Sequence, residues 1–282
     1  MSESSALVSA GFSLAAVVTW GTGDFIGGYA AKRLNAFLVT ALAHASGVAL
    51  MLTVALVRHS PVPGRTSILW AIAAGLCGGA ALAAFYQALA SGKMGLTAPV
   101  AAVLGAAIPT VFGMITEGMP RVLQAGGFLL AAVGIWLISR DDGVSGQTQG
   151  LGLAALSGFG FAAFIICIKQ TGDSPAEWSA AFSRTASLIL VAVIVLLSRT
   201  PRKISRTGVI LGLIAGVLDT TGTMLFIRAT QTGRLDVAVV LSSLYPAVTV
   251  LLAWLVLREG FSRWKALGMA AALLAVPMIA AQ

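Results

Sequence analysis

Charge is scarce in this sequence. Asp, Glu, Lys and Arg make up 10% of its 282 residues, whereas soluble domains carry about 25%. A water-soluble fold needs polar side chains to cover itself, and this chain has too few. Long hydrophilic gaps are also missing, so no segment can form a soluble domain, and any chemistry belongs within or at the edge of a bilayer. Cysteine is nearly absent. Cys77 and Cys167 both lie inside apolar runs, where a metal or redox site would need a close pair such as Cys-x-x-Cys. They are expected to be small buried residues, and neither a metal site nor a cofactor is expected. The phosphate-cradling loop GxxxxGK[ST] does not occur, which speaks against an ATP-driven pump. Nor do HExxH or, within the apolar runs, GxSG and Asp-rich motifs, which speaks against an intramembrane enzyme. No basic stretch precedes a short apolar run at the N-terminus, so the first apolar run is expected to be a span and not a cleaved signal.

What the chain does have is apolar surface, with 58% hydrophobic residues and a mean hydropathy of +0.94. Lipid solvates such side chains directly. The 32 glycines fit the same setting, because small residues let membrane helices approach closely where no hydrophobic drive acts between them. The net charge of +8 is spread over short gaps between apolar runs. That distribution serves topology and is unlike the basic face or arm of a nucleic-acid binder. Ten apolar stretches are near the length of about 20 residues needed to cross a bilayer. They are predicted at 9–30, 36–57, 67–90, 95–116, 121–139, 150–169, 177–197, 208–230, 235–257 and 263–281.

The halves repeat one another. A shift of 141 residues lays Phe85, Ala88, Gly92 and Lys93 onto Phe226, Ala229, Gly233 and Arg234, and Gly75 onto Gly216. One residue further, Glu117 falls on Glu259, Arg121 on Arg263 and Gly126 on Gly268. Five spans per copy is an odd number, so the second copy crosses the membrane in the opposite sense, an arrangement typical of transporters. The expected fold is therefore an all-α integral membrane protein of ten transmembrane helices in two inverted repeats of five, over 9–139 and 150–281.

These residues carry a family resemblance. Trp20-Gly21 in the first span, the Phe-x-x-Ala-x-x-x-Gly endings of spans three and eight, and the Pro-containing spans four and nine that end near Glu resemble the EamA-type drug/metabolite transporters. The clearest stretch runs from Ser242 through Tyr245-Pro246 to Arg258-Glu259. The resemblance implies a central cavity between the halves, lined by spans one to four and six to nine, with five and ten peripheral. It also implies a secondary transporter, an exporter or exchanger, of small organic metabolites such as amino acids or drug-like amphiphiles. The alternatives are an importer or antiporter of sugars, nucleotide sugars or organic anions. The expected partners are a small-molecule substrate, the lipid bilayer and protons as candidate coupling ions, in a monomer or weak dimer. The expected setting is a bacterial-type inner membrane. Of the basic residues in alternate gaps, six fall on one side and eleven on the other. The richer side is cytoplasmic by the positive-inside rule, which puts both termini outside.

Ionisable groups inside spans are costly and commonly functional. Asp24, in Thr-Trp-Gly-Thr-Gly-Asp, and Asp219, near the middle of span eight, are the two acidic residues within spans. Each is either a paired carboxylate joining helices or a cation contact and protonation site. Arg228 lies nine residues after Asp219, about 13.5 Å along a helix, too far for a direct pair. It either snorkels to the interface or binds an anionic group, and Arg184 in span seven faces the same choice. His44 in span two is a packing residue or a substrate contact. Trp20, Tyr86 and Tyr245 are candidate cavity aromatics, and Gln87 adds polarity beside Tyr86. Pro109 and Pro246 remove backbone hydrogen bonds and are expected to kink spans four and nine. Glu117 with Arg121, and Glu259 with Arg258 or Arg263, are expected as interfacial salt bridges or gate elements.

Overall fold

The computed structural model describes residues 3–92, 94–139, 150–197, 205–260 and 262–280. The loop charges at Lys93, Arg140, Asp141, Asp142, Arg199, Arg202 and Lys203 lie outside the described residues. All regular structure among the described residues is α-helix: α1 (Glu3–Ala31), α2 (Ala36–Val57), α3 (Arg65–Ser91), α4 (Met94–Glu117), α5 (Val122–Ser139), α6 (Leu151–Lys169), α7 (Ala176–Leu197), α8 (Arg206–Thr232), α9 (Leu235–Ser242), α10 (Tyr245–Leu257) and α11 (Arg263–Ala280). Helices satisfy every interior backbone group within one segment, which lipid demands. Outward side chains such as Leu56, Ile115, Leu129 and Leu273 are exposed and apolar, as contact with lipid requires.

Helices α9 and α10 together make one span, so ten helical segments are present among the described residues. Eight of these are long and apolar enough to cross a membrane. The other two, α5 and α11, have 18 residues each and pack on one another. The predicted boundaries agree with the helices to within two residues except at the N-terminus, where α1 starts at Glu3, six residues early. Those early positions carry Ser and Glu, which hide a helix from a hydropathy reading. The expected kink at Pro246 is a full interruption. Leu244 donates to Leu241 O at 3.2 Å and Ala247 to Leu244 O at 3.0 Å, turns of i→i−3 type that separate α9 from α10. Pro246 has no N–H to offer the ladder there. By contrast α4 runs on through Pro109, and also through Pro99.

Packing follows the repeat. The α1–α8 and α3–α6 pairs are among the most extensive, and each pair becomes the other when every helix is exchanged for its counterpart five spans on. The α2–α7 and α5–α11 pairs map onto themselves. Gly75 of α3 lies against the Ser183 carbonyl of α7, and Gly216 of α8 lies against the Ala43 carbonyl of α2; a Cβ at either glycine would collide with that backbone. Two further matched residues play matched roles. Gly92 ends α3 by donating to Ala88 O at 2.9 Å, and Gly233 ends α8 by donating to Ala229 O at 3.0 Å.

Candidate functional site

A cavity lies among α1, α3, α4, α6, α7, α8 and the α9–α10 break, with about 750 Å³ of atom-free space including its open mouth. Neither α5 nor α11 lines it. Most of the wall is apolar, supplied by residues such as Leu82, Phe161, Phe164 and Ile165. Three charged side chains break this surface: Asp24, Arg184 and Asp219. Their exposures are 5%, 5% and 6%. Asp219 stands thirteen residues from either end of α8, roughly 20 Å from each face at the helical rise.

Arg184 organises the cluster. Its guanidinium lies 2.8 Å from the Asp219 carboxylate and donates to the Thr223 hydroxyl. It also approaches His44 Nδ1 at 3.4 Å. Arginine can only donate, so Nδ1 is the acceptor in this contact and Nε2 of the neutral ring carries the proton. His44 Nε2 and Arg184 Nε have no hydrogen-bond partner among the described residues. The ring of Trp20 closes the α1 side. Its Nε1 donates to the Asp219 carbonyl at 3.0 Å, with Phe226 at 5.4 Å and Tyr245 edge-on at 6.3 Å between ring centroids. Gly222 makes this approach possible, because a Cβ there would sit 2.6 Å from Trp20 Cδ1 and 2.8 Å from its Nε1.

Of the residues singled out from sequence, Trp20, Asp24, Asp219 and Tyr245 line the cavity together. His44 reaches it through Arg184. Tyr86 is fully buried against Gly27 with its hydroxyl unpartnered, and it lies close enough to Asp24, Asp219 and Arg184 to feel their charges. Gln87, the next residue, points the other way and is exposed, because neighbours on a helix face directions about 100° apart. Arg228 also stays outside the cavity. It pairs with Glu177 at 3.1 Å, near the face where α1 starts. Arg58 reaches the same carboxylate at 3.6 Å, and the Ser60 hydroxyl donates to it.

The two repeat-matched glutamates do something the charge pattern did not reveal. Glu117, at the end of α4, accepts from the Leu235 N–H at the start of α9 at 2.6 Å and pairs with Lys169 at 2.8 Å. Glu259, just after α10, accepts from the Gly95 N–H at the start of α4 at 3.3 Å. Each carboxylate thus caps the fourth span of the other half, at opposite faces of the molecule, where a helix N-terminus favours negative charge. The expected partners are placed otherwise. The exposed Arg121 uses its backbone N–H to bond the Gln124 side chain at 3.1 Å, and Arg263 lies over the Trp264 ring at 5.4 Å.

Sequence reasoning named Arg184 but kept it off the set of binding residues. The missed signal is the small polar series Ser179, Ser183 and Ser187 around it, which marks α7's inward face. All three serines are buried.

Helices of this length around a buried ionic cluster define a multi-pass membrane protein. Residues 148–281 match the EamA-like transporter family, so the second half of the chain is similar to that family. That similarity points to a membrane transporter. No curated protein matches the chain. Among solved structures, a crystal structure of a protein superposes with a TM-score of 0.75 at 18% identity, covering 99% of this chain and 96% of its own. That likeness is one of fold, and it includes the first half that the family match leaves out.

Proposed function

We propose that the protein is a secondary active transporter, an exporter or exchanger, that moves small organic metabolites such as amino acids or drug-like amphiphiles by alternating access around this cavity. The observation that carries the reading is the buried Asp24–Arg184–Asp219 cluster on the wall of a largely apolar cavity at mid-span. Such charges are expensive to keep in a membrane unless they serve a pathway. The two five-helix units, 9–139 and 150–281, are inverted repeats of each other, and the matched contacts of Gly75 and Gly216 support that symmetry. Broken helices beside a midplane site, like α9–α10 here, are the usual substrate-facing elements of such folds.

In this reading Trp20, Asp24, Tyr245 and Asp219 meet the substrate, with Asp24 and Asp219 as the groups that exchange protons. His44 and Tyr86 support them from the second layer. Glu117 and Glu259 act as gates, each releasing a cap as its face opens. The lipid setting is a bacterial-type inner membrane, and the richer basic side faces the cytoplasm. Flux of radiolabelled metabolites into liposomes holding the purified protein tests the proposal. Uptake above empty liposomes for at least one member of a broad panel supports it, and flux at the empty-liposome level for all members overturns it.

A further inference from the structure

The charges on the cavity wall narrow the class of ligand. Two carboxylates and one guanidinium meet there. Arg184 and Asp219 form an ion pair at 2.8 Å, and Thr223 and His44 occupy further guanidinium N–H groups. Asp24 is left over. It lines the cavity at 5% exposure, and its side chain has no hydrogen-bond or ion-pair partner among the described residues. The titratable groups that act on it are Asp219 and Arg184, from α8 and α7, with Tyr86 of α3 and Tyr245 of α10 also in range. His44 of α2 stands behind Arg184. None of these supplies a second positive charge.

Aromatic surface surrounds the leftover carboxylate. Trp20 precedes Asp24 by four residues, which places both on one face of α1, and Tyr245 meets Trp20 edge-on. Phe161 and Phe164 continue the wall.

We propose that the cavity binds an organic monocation, a protonated amine with an apolar body, with the ammonium on Asp24 and the body among Trp20, Tyr245 and Phe164. The inference rests on the transporter reading of the same cavity. A buried carboxylate is costly until a cation meets it, and aromatic faces attract the same cation. An anionic ligand meets the reverse condition: it adds a third negative charge beside Asp24 and Asp219, with Arg184, already paired with Asp219, as the one cation on the wall. A divalent metal fits no better, since no group of three His, Cys, Asp or Glu gathers among the described residues.

The test compares three probes of one shape on the full chain in lipid nanodiscs: protonated phenethylamine, neutral 2-phenylethanol and anionic 3-phenylpropionate, read by tryptophan fluorescence and calorimetry. Phenethylamine is expected to bind at least about tenfold tighter than the other two, a difference on the scale of one well-placed charge contact. Asp24→Asn is expected to remove that preference, and Asp24→Glu to keep it. Equal or tighter binding of 3-phenylpropionate, or an unchanged amine preference in Asp24→Asn, overturns the inference. If the Asn variant does not fold, the three-probe comparison on the parent chain decides. Liposome flux separates the two levels. A protein that moves some other metabolite but shows no amine preference loses the cation inference alone, whereas one that moves nothing loses the transporter reading as well.

Discussion

Arg184 of α7 and Asp219 of α8 hold a 2.8 Å ion pair at the centre of a span, with both side chains nearly removed from solvent. Removing one partner of such a pair leaves an uncompensated buried charge, at a cost of about 3–5 kcal/mol. Arg184→Met and Asp219→Leu are each expected to lower stability on that scale. The double substitution is expected to recover most of the loss, because an apolar pair of similar volume is often neutral. Thermal unfolding of the four proteins in detergent, analysed as a double-mutant cycle, checks this. Additive losses would show that the two charges do not depend on each other.

Gly75 and Gly216 are expected to be the least replaceable glycines in the helical core. Valine at either position meets a carbonyl of the neighbouring helix and cannot be housed without parting α3 from α7 or α8 from α2. Alanine at Gly11 or Gly152, where nothing lies within 4 Å, is expected to leave the protein monodisperse. Size-exclusion profiles of the four variants decide.

Much of this architecture was legible in the sequence, for a physical reason. Lipid imposes one length and one polarity on every span, so the apolar runs gave helix positions nearly residue by residue, and the glycine matches marked where backbones touch. Side-chain direction was not legible. Tyr86 and Gln87 are adjacent in sequence, yet one is buried and the other exposed, because helix rotation is set by neighbours that no single run reveals. The partner of each charge was equally hidden. Proximity in sequence suggested Arg121 for Glu117, but Lys169 comes from the next helix pair in space. Glu177 is the first residue of the predicted seventh span, and the fold buries it to 2% exposure under Arg58, Ser60 and Arg228.

Glu117 has two separable duties. Glu117→Gln keeps an acceptor for the Leu235 N–H but loses the Lys169 pair, and the expected cost is under about 1 kcal/mol because that pair is partly exposed. Glu117→Ala loses both, and the missing helix cap is expected to add about 1 kcal/mol. A lower thermal midpoint for Ala than for Gln, with both below the parent, is the expected order. Identical midpoints for Gln and Ala would show that the cap contributes nothing.

The proposed proton exchange at Asp24 and Asp219 predicts a pH dependence of transport with a defined sign. An amine meets Asp24 best when the carboxylate is ionised, so amine affinity is expected to rise with pH while the amine itself stays protonated. Asp24→Asn is expected to flatten that rise and to abolish pH-dependent flux without loss of expression, and Asp219→Asn to abolish the pH dependence of flux likewise. Flux profiles of both variants with the parent's pH dependence would exclude the two carboxylates as proton carriers.

The crossed caps of Glu117 and Glu259 bear on biosynthesis. Gly95 at the start of α4 waits for a carboxylate made 164 residues later, and α1 finds its principal neighbour only when α8 has been inserted. The first five helices therefore leave the ribosome with their closing contacts still unmade. They must linger in the membrane as a loose bundle until the second five arrive. Truncation after the first half is then expected to yield a product that quality-control proteases clear, and a stop codon near the end of α10 is expected to be nearly as damaging as one in the middle of the chain.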